Sequence, residues 1–281
     1  MQDNSNRNSF TLNCKGRLVH WPTAQVMGIL NATPDSFHAE SRTAMDTVLE
    51  KAKSMIEAGA AILDIGGQST RPGAEMVGPD IEIERVVPMI QALKLAYPHV
   101  LISIDSFYPA VVKAAVLAGA DIVNDISAGL FFPEMLATVA ALNTPYIAMH
   151  MAGSLDNMHH RHPTDNISRT VIDFFIERKA ACRAAGIKDL IIDPGFGFGN
   201  TAAENFQLVR DLNHLKILDC PILLGVSRKS SIYKTLGVTA AEALNGTTVL
   251  HTAGLLAGAN LLRVHDVKEA KESIVLTDYL Q

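Results

Sequence analysis

Asp105, Asn124 and Asp193 each stand at the end of a short aliphatic run, and each carries a carboxylate or a carboxamide. Five basic residues, Arg71, Arg228, Lys229, Arg263 and His265, stand just beyond other such runs. Carboxylates accept hydrogen bonds, and a carboxamide both donates and accepts. The first set therefore suits a flat heterocycle carrying ring N–H, amino and carbonyl groups. Met149 and Phe198 offer apolar contact to the faces of such a ring. Cations at the density of the second set fit a phosphate or a pyrophosphate. For Arg263 there is a competing reading, a rim salt bridge with Asp266. Taken singly, each residue is also explained as a helix cap or a turn. Their number is what matters, since every run would bring a polar group to one rim, the usual form of a small-molecule site.

The elements that position these groups follow from a repeat. Ala58-Gly59-Ala60 leads to Ile62-Leu63-Asp64, Ala118-Gly119-Ala120 to Ile122-Val123-Asn124, and Ala257-Gly258-Ala259 to Leu261-Leu262-Arg263. A looser copy runs from Ala185-Gly186-Ile187 to Asp193. In each, a helix ends at glycine and a strand buried on both faces begins. The pattern predicts strands over 26–30, 62–65, 101–105, 122–125, 146–149, 190–193, 222–225 and 261–264. Helices are predicted between them, among others over 44–58, 81–95, 110–118, 167–185, 241–257 and 267–280. Strict alternation implies parallel strands with right-handed crossovers, and eight units imply a closed (β/α)8 TIM barrel. Upstream, 10–12 and 17–21 flank Asn13-Cys14-Lys15-Gly16 as a short hairpin plugging the barrel bottom. The expected division is a tail and hairpin over 1–24 and one barrel domain over 25–281.

Several classes are set aside. Over 281 residues, 48% apolar and 19% charged content is that of an ordinary globular chain, and a net charge of −5 argues against a nucleic-acid groove. Cys14, Cys182 and Cys220 form no paired motif, which suits a reducing cytoplasm. The polar stretch 1–9 lacks a signal-peptide core, and no apolar run reaches membrane-spanning length. His159-His160-Arg161-His162 lacks zinc-ligand spacing and reads as a solvated loop. His251 reads as packing within a helix. Gly195-Phe196-Gly197-Phe198-Gly199 follows Asp-Pro and lacks the dinucleotide-loop spacing.

The stretch Met27-Gly28-Ile29-Leu30-Asn31-Ala32-Thr33-Pro34-Asp35-Ser36-Phe37 closely resembles the opening motif of the dihydropteroate synthases, a family of pterin-binding enzymes. Ser69-Thr70-Arg71-Pro72-Gly73 resembles that family's second loop. Asn124-Asp125-Ile126, Asp193 to Gly199, Ser227-Arg228-Lys229-Ser230 and Arg263-Val264-His265-Asp266-Val267 resemble further motifs in the same order. The resemblance implies a cytoplasmic transferase of folate biosynthesis and a sulfonamide target. Its reaction would join 6-hydroxymethyl-7,8-dihydropterin pyrophosphate to p-aminobenzoate, giving 7,8-dihydropteroate and pyrophosphate. It implies that Asp105, Asn124, Asp193 and Lys229 hold the pterin, with Ile126, Met149, Phe198 and Gly225 lining the pocket. Asn31, Thr70, Arg71, Arg263 and His265 would surround the pyrophosphate, with Mg2+ bridging it and Asn31. Phe37, Arg71, Pro72, Lys229 and Ser230 would form the p-aminobenzoate site. Asp35 joins Asn31, Arg71, Asp105, Asp193, Lys229, Arg263 and His265 as catalytic residues on this resemblance. It also implies a homodimer packed through helices late in the barrel.

Two segments depart from the family pattern. After Phe37 the chain reads His38-Ala39-Glu40-Ser41 where the family often has Ser-Asp-Gly-Gly, so a loop carboxylate is missing at Ala39. The fifth loop reads Met149-His150-Met151-Ala152-Gly153-Ser154-Leu155 where Arg and Thr-Pro are frequent. Two other readings stay open. One is a pterin-binding methyltransferase barrel that passes a methyl to a corrinoid. The other is a pterin-binding homologue without synthase activity, which Ala39 keeps in view.

Overall fold

The chain enters through a hairpin: β1 (Phe10–Cys14) and β2 (Arg17–Trp21) pair antiparallel, with Phe10 opposite Trp21. Lys15 and Gly16 between them have φ of 53° and 91°. Two left-handed residues give a turn whose twist matches the paired strands. The Gly16 N–H donates to Asn13 Oδ1 at 2.7 Å. Asn13 and Cys14 thus continue the first strand, and the hairpin is longer than the sequence suggested. The computed structural model describes residues 8–32, 42–68, 76–151, 153 and 164–280.

Among these residues eight parallel strands follow, β3 (Gln25–Asn31), β4 (Ile62–Gly66), β5 (Leu101–Asp105), β6 (Ile122–Asp125), β7 (Tyr146–Met149), β8 (Leu190–Asp193), β9 (Leu223–Leu224) and β10 (Leu261–Val264). Between and after them run α1 (Arg42–Glu57), α2 (Pro79–Ala96), α3 (Pro109–Ala118), α4 (Met135–Leu142), α5 (Ile167–Ala185), α6 (Ala202–Arg210), α7 (Ser230–Leu236), α8 (Leu244–Ala257) and α9 (Val267–Asp278). The spatial strand order is β8-β7-β6-β5-β4-β3-β10-β9, and a parallel bridge between Ile192 and Ile222 joins the two ends. This is the (β/α)8 barrel that the alternation predicts. Gly59, Gly119 and Gly258 of the repeat have φ of 103°, 129° and 109°, as a left-handed turn after a helix requires.

The seventh barrel strand is shorter than predicted. Pro221 has no N–H to donate, and the Ile222 N–H goes to the Asn260 side-chain carbonyl at 2.8 Å rather than to a neighbouring strand. The eighth helix starts at Leu244 rather than 241, because the Glu242 carboxylate accepts from the Thr239 N–H and hydroxyl and holds a turn there.

Strand side chains alternate between the two faces, so residues two apart share the barrel interior. Met27, Ile62, Leu101, Ile122, Ile147, Ile191, Leu223 and Leu261 form one buried cluster with Phe10, Leu12 and Cys14 of the hairpin. Each of those strand residues lies near its strand's N-terminal end, so the hairpin seals the bottom of the barrel. Two residues further along the same faces come Asp64, Ser103, Asn124, Met149, Asp193, Gly225 and Arg263. An apolar floor thus carries a mostly polar layer above it. Leu12→Ala should lower the unfolding free energy by about 2–5 kcal/mol, since it opens a cavity in that floor. Urea unfolding checks this, and a loss below about 1 kcal/mol would mean the hairpin is not part of the core.

Candidate active site

Strand register brings the ligand-competent groups together. Asp105 on β5 lies directly beside Asn124 on β6, and Met149 on β7 beside Asp193 on β8. Asp64 on β4 is fully buried and stands at the centre of the set. Its Oδ2 accepts from Asn124 Nδ2 at 3.2 Å and from Arg263 Nε at 2.6 Å. Arg263 Nη2 reaches Asp105 Oδ2 at 2.5 Å. Arg263 is therefore the cation of an inner carboxylate pair, and the rim ion pair with Asp266 is not formed by it.

Arg228 takes that place. Its guanidinium binds Asp266 through Nε at 2.7 Å and Nη2 at 2.9 Å, and Nη1 donates to the Ala240 and Ala241 carbonyls at 2.9 Å and 2.5 Å. The reading of Arg228 as a phosphate cation is corrected accordingly, because its side chain is committed to the outer rim. Its backbone has φ of 52°, unusual for a non-glycine residue, and the Arg228 N–H donates to Thr247 Oγ1 at 3.0 Å. The sharp turn there sends Lys229 toward the mouth. The Lys229 ammonium bonds to the Phe196 carbonyl and sits 4.6 Å from the centre of the Phe198 ring.

The charges perturb one another. Burial pushes Asp105 up to about 7, with Arg263 pulling it down and Asp64, Asp125 and Asp193 adding to the push. Burial also raises Asp193, opposed by Lys229, by the Gly195 N–H at 2.8 Å and by Arg263. Burial drives Lys229 down to about 8, against the attraction of Asp193. Arg263 stays charged, because Asp64 and Asp105 offset its burial. Carboxyls raised by burial beside a lowered lysine are a pattern typical of functional clefts.

An apolar wall completes the mouth. Ile126, Met149 and Phe198 belong to one cluster with Phe107 and Met151, and Tyr108, Phe131 and Phe132 pack around it. A Cβ on Gly225 would come within 3.7 Å of Asp193 Oδ2, so the glycine leaves the carboxylate open to the pocket. Ser227 Oγ and His265 Nδ1 are 3.1 Å apart, which ties the loops after β9 and β10 together. Ser230, exposed, begins α7, and Asn31, also exposed, ends β3. Asp35, Phe37, Thr70, Arg71 and Pro72 lie outside the described residues, as do Ala39, Glu40 and the histidines at 159, 160 and 162.

The family model for pterin binding enzymes matches residues 27–265. The dihydropteroate synthase of Streptococcus pyogenes is 42% identical over 270 residues, covering 94% of this chain and 98% of the relative. The chain belongs to the dihydropteroate synthase family. Solved members of that family superpose closely. The Xanthomonas albilineans dihydropteroate synthase, determined with 4-aminobenzoic acid, has a TM-score of 0.88 at 39% identity, covering 97% of this chain and 98% of that one. Determined with 7,8-dihydropteroate, the same organism's enzyme has a TM-score of 0.84 at 36% identity, over 96% and 98% of the two chains. The Yersinia pestis enzyme in complex with a sulfonamide drug has a TM-score of 0.88 at 38% identity, over 96% and 98%.

Members of the dihydropteroate synthase family are transferases of folate synthesis, so this chain is an enzyme of that class. One prominent group in its mouth was given no role from sequence, Asp64. The signal was present, for Asp64, Asn124 and Arg263 occupy the same position in the three copies of the repeat. Asn124 and Arg263 both bond to Asp64. Among the described residues no three His, Cys, Asp or Glu side chains gather as a metal site, and no helix is long and apolar enough to cross a membrane.

Proposed function

We propose that this chain condenses 6-hydroxymethyl-7,8-dihydropterin pyrophosphate with p-aminobenzoate, releasing 7,8-dihydropteroate and pyrophosphate. The observation that supports it most is the meeting of Asp105, Asn124, Asp193, Lys229 and Arg263 in one mouth. In this reading Asp105, Asn124 and Asp193 hold the ring edge, and Ile126, Met149, Phe198 and Gly225 contact its faces. Arg263 and His265, with Asn31, Thr70 and Arg71, receive the pyrophosphate. Phe37, Arg71, Pro72, Lys229 and Ser230 hold p-aminobenzoate, and Asp35 serves the same reaction from the first loop.

The aniline nitrogen is a weak nucleophile, so the barrier depends on how readily the leaving group departs. As the C–O bond breaks, Asp193 faces the positive charge that grows on the ring and its methylene. Arg263 and His265 face the negative charge that grows on the pyrophosphate. The nitrogen then bonds to the methylene carbon and loses a proton, and pyrophosphate leaves with the electron pair of the broken bond. Mg2+ in phosphate sites takes substrate oxygens, keeps several waters and needs few protein ligands, and one exposed carboxamide at a strand end, Asn31, is consistent with that. When bound, the ion would add charge neutralisation on the leaving group.

Pyrophosphate release assayed with and without p-aminobenzoate tests the reaction. Release that requires p-aminobenzoate is expected, and a sulfonamide should inhibit it competitively with p-aminobenzoate. Binding without turnover would instead favour a silent pterin-binding homologue. The pH dependence of kcat/KM carries a sign. Asp105 is ionised above about 7 and Lys229 is protonated below about 8, so activity should rise through the first value and fall through the second. A profile flat from about pH 6 to about pH 9 would contradict those roles.

A homodimer is part of the same reading. Val249 and Leu256 of α8 and Leu276, Tyr279 and Leu280 near the end of α9 are exposed apolar residues on adjacent helices. Light scattering should give twice the chain mass; a single-chain mass at working concentration would refute it. A cytoplasmic location fits three free thiols, two of them buried, and cell fractionation tests it.

A further inference from the structure

Glu82, in the first turn of α2, is only 1% exposed, although carboxylates are rarely buried without a cationic partner. Arg85, one turn along, directs Nη1 to the Gly67 carbonyl at 2.9 Å. Glu82 Oε2 accepts instead from Ser106 Oγ at 3.2 Å, and Oε1 is sealed from solvent without a hydrogen-bond partner. Ser106 directly follows Asp105. Its N–H donates to the Asn124 carbonyl at 3.0 Å, and its Oγ also accepts from the Tyr108 N–H at 3.2 Å. On its other side Glu82 packs against Gly67, where a Cβ would lie 2.7 Å from Glu82 Cγ and 2.9 Å from Val86 Cγ1. Only glycine allows β4 to leave the barrel so close to α2. A Cβ on the preceding Gly66 would meet Asp105 Cβ and Oδ2 at 3.6 Å. One side chain therefore touches the residues just beyond both strand ends that flank Asp105.

We propose that Glu82 is a positioning residue for the pterin contact Asp105, holding the ends of β4 and β5 at the spacing that aims its carboxylate into the mouth. Burial pushes Glu82 up to about 8 and the charge of Asp105 adds to the push, while the Ser106 hydroxyl, the Gly67 backbone and the charge of Arg85 oppose it. At neutral pH the group is mostly uncharged, so it supplies bulk and hydrogen bonding without a second negative charge beside Asp105. The inference rests on the reading of Asp105 as a ring contact, and the experiment separates the two.

The measurement is the dissociation constant of 6-hydroxymethylpterin, a pterin without the diphosphate, by titration calorimetry, with thermal unfolding followed in parallel. Glu82→Gln keeps the shape and the acceptor for Ser106 and should bind as the parent does. Glu82→Ala and Ser106→Ala should each weaken binding about fivefold to tenfold, the scale of one lost hydrogen bond. Neither should add to the loss caused by Asp105→Asn, because both act through that carboxylate. Parent-like binding by Asp105→Asn would overturn the ring assignment and this inference with it. Weakened binding by Asp105→Asn, with parent-like Glu82→Ala and Ser106→Ala, would overturn the role of Glu82 alone. Equal losses for Glu82→Gln and Glu82→Ala would count against an uncharged positioning group. Should Glu82→Ala fail to fold, Ser106→Ala alone and combined with Asp105→Asn still decides.

Discussion

Arg263→Met should lower the unfolding free energy by about 3 kcal/mol and kcat/KM by at least ~10²-fold. Asp64 has no exposed surface and Asp105 little, and Arg263 bonds to both. Removing the cation leaves two acids facing each other in a dry interior, the circumstance in which breaking an ion pair is most damaging. Turnover suffers separately, because the proposed mechanism gives the same guanidinium to the departing pyrophosphate. The stability loss should depend on pH, and its sign follows from Asp105. That acid is already raised to about 7, and Arg263 is what pulls it down. Without Arg263 its folded pKa climbs further above the unfolded value, so the folded state binds the proton more tightly and gains stability as pH falls. The deficit against the parent should therefore be larger at pH 8 than at pH 6, as urea unfolding at roughly those two values would register. A deficit below about 0.5 kcal/mol at both would mean the trio is not an electrostatic unit.

Asp193→Asn should cost about 1–2 kcal/mol of stability, because Lys229 loses its main counter-ion, and should reduce kcat/KM by about 10³-fold. Asparagine keeps the volume and an acceptor for the Gly195 N–H, and it removes a carboxylate whose ionised form burial disfavours. The loss in kcat/KM has two sources. An amide N–H₂ would face a ring edge that presents donors, leaving buried donors unpaired. Asp193 is also the first of the groups that hold Lys229 in its charged form. Without it Lys229 is lowered further, so the alkaline limb of the pH profile should move to lower pH. Steady-state kinetics against pH, with thermal unfolding as the control, reads both effects. Near-parental kcat/KM would remove Asp193 from the site.

Much of this architecture was legible because it repeats. Glycine at the helix end, a buried aliphatic pair and a polar group recur often enough to imply a parallel barrel, and Asp64, Asn124 and Arg263 land on equivalent positions. What the linear pattern lacks is stagger between strands. Asp105 lies beside Asn124 although the two occupy different positions along their own strands, and no local signal encodes that offset. Arg228 and Arg263 likewise look alike as residues near strand ends. One points outward to Asp266 and the other inward to Asp64 and Asp105. A left-handed backbone at Arg228 makes the difference, and arginine does not advertise it. The short helices α4 and α7 are too brief for periodicity to mark. In the folded chain α6 begins at a reciprocal capping box of Thr201 and Glu204. The aromatic group of Phe107, Tyr108, Phe131 and Phe132 comes from two separate loops, so only the folded chain assembles it.

A crystal structure with 6-hydroxymethyl-7,8-dihydropterin pyrophosphate bound would test the account most directly. The bicyclic ring should lie among Asp105, Asn124 and Asp193 with Met149 and Phe198 against its faces, and the diphosphate should reach toward Arg263 and His265. A ring bound away from those three side chains, or a diphosphate pointing away from Arg263, would contradict it.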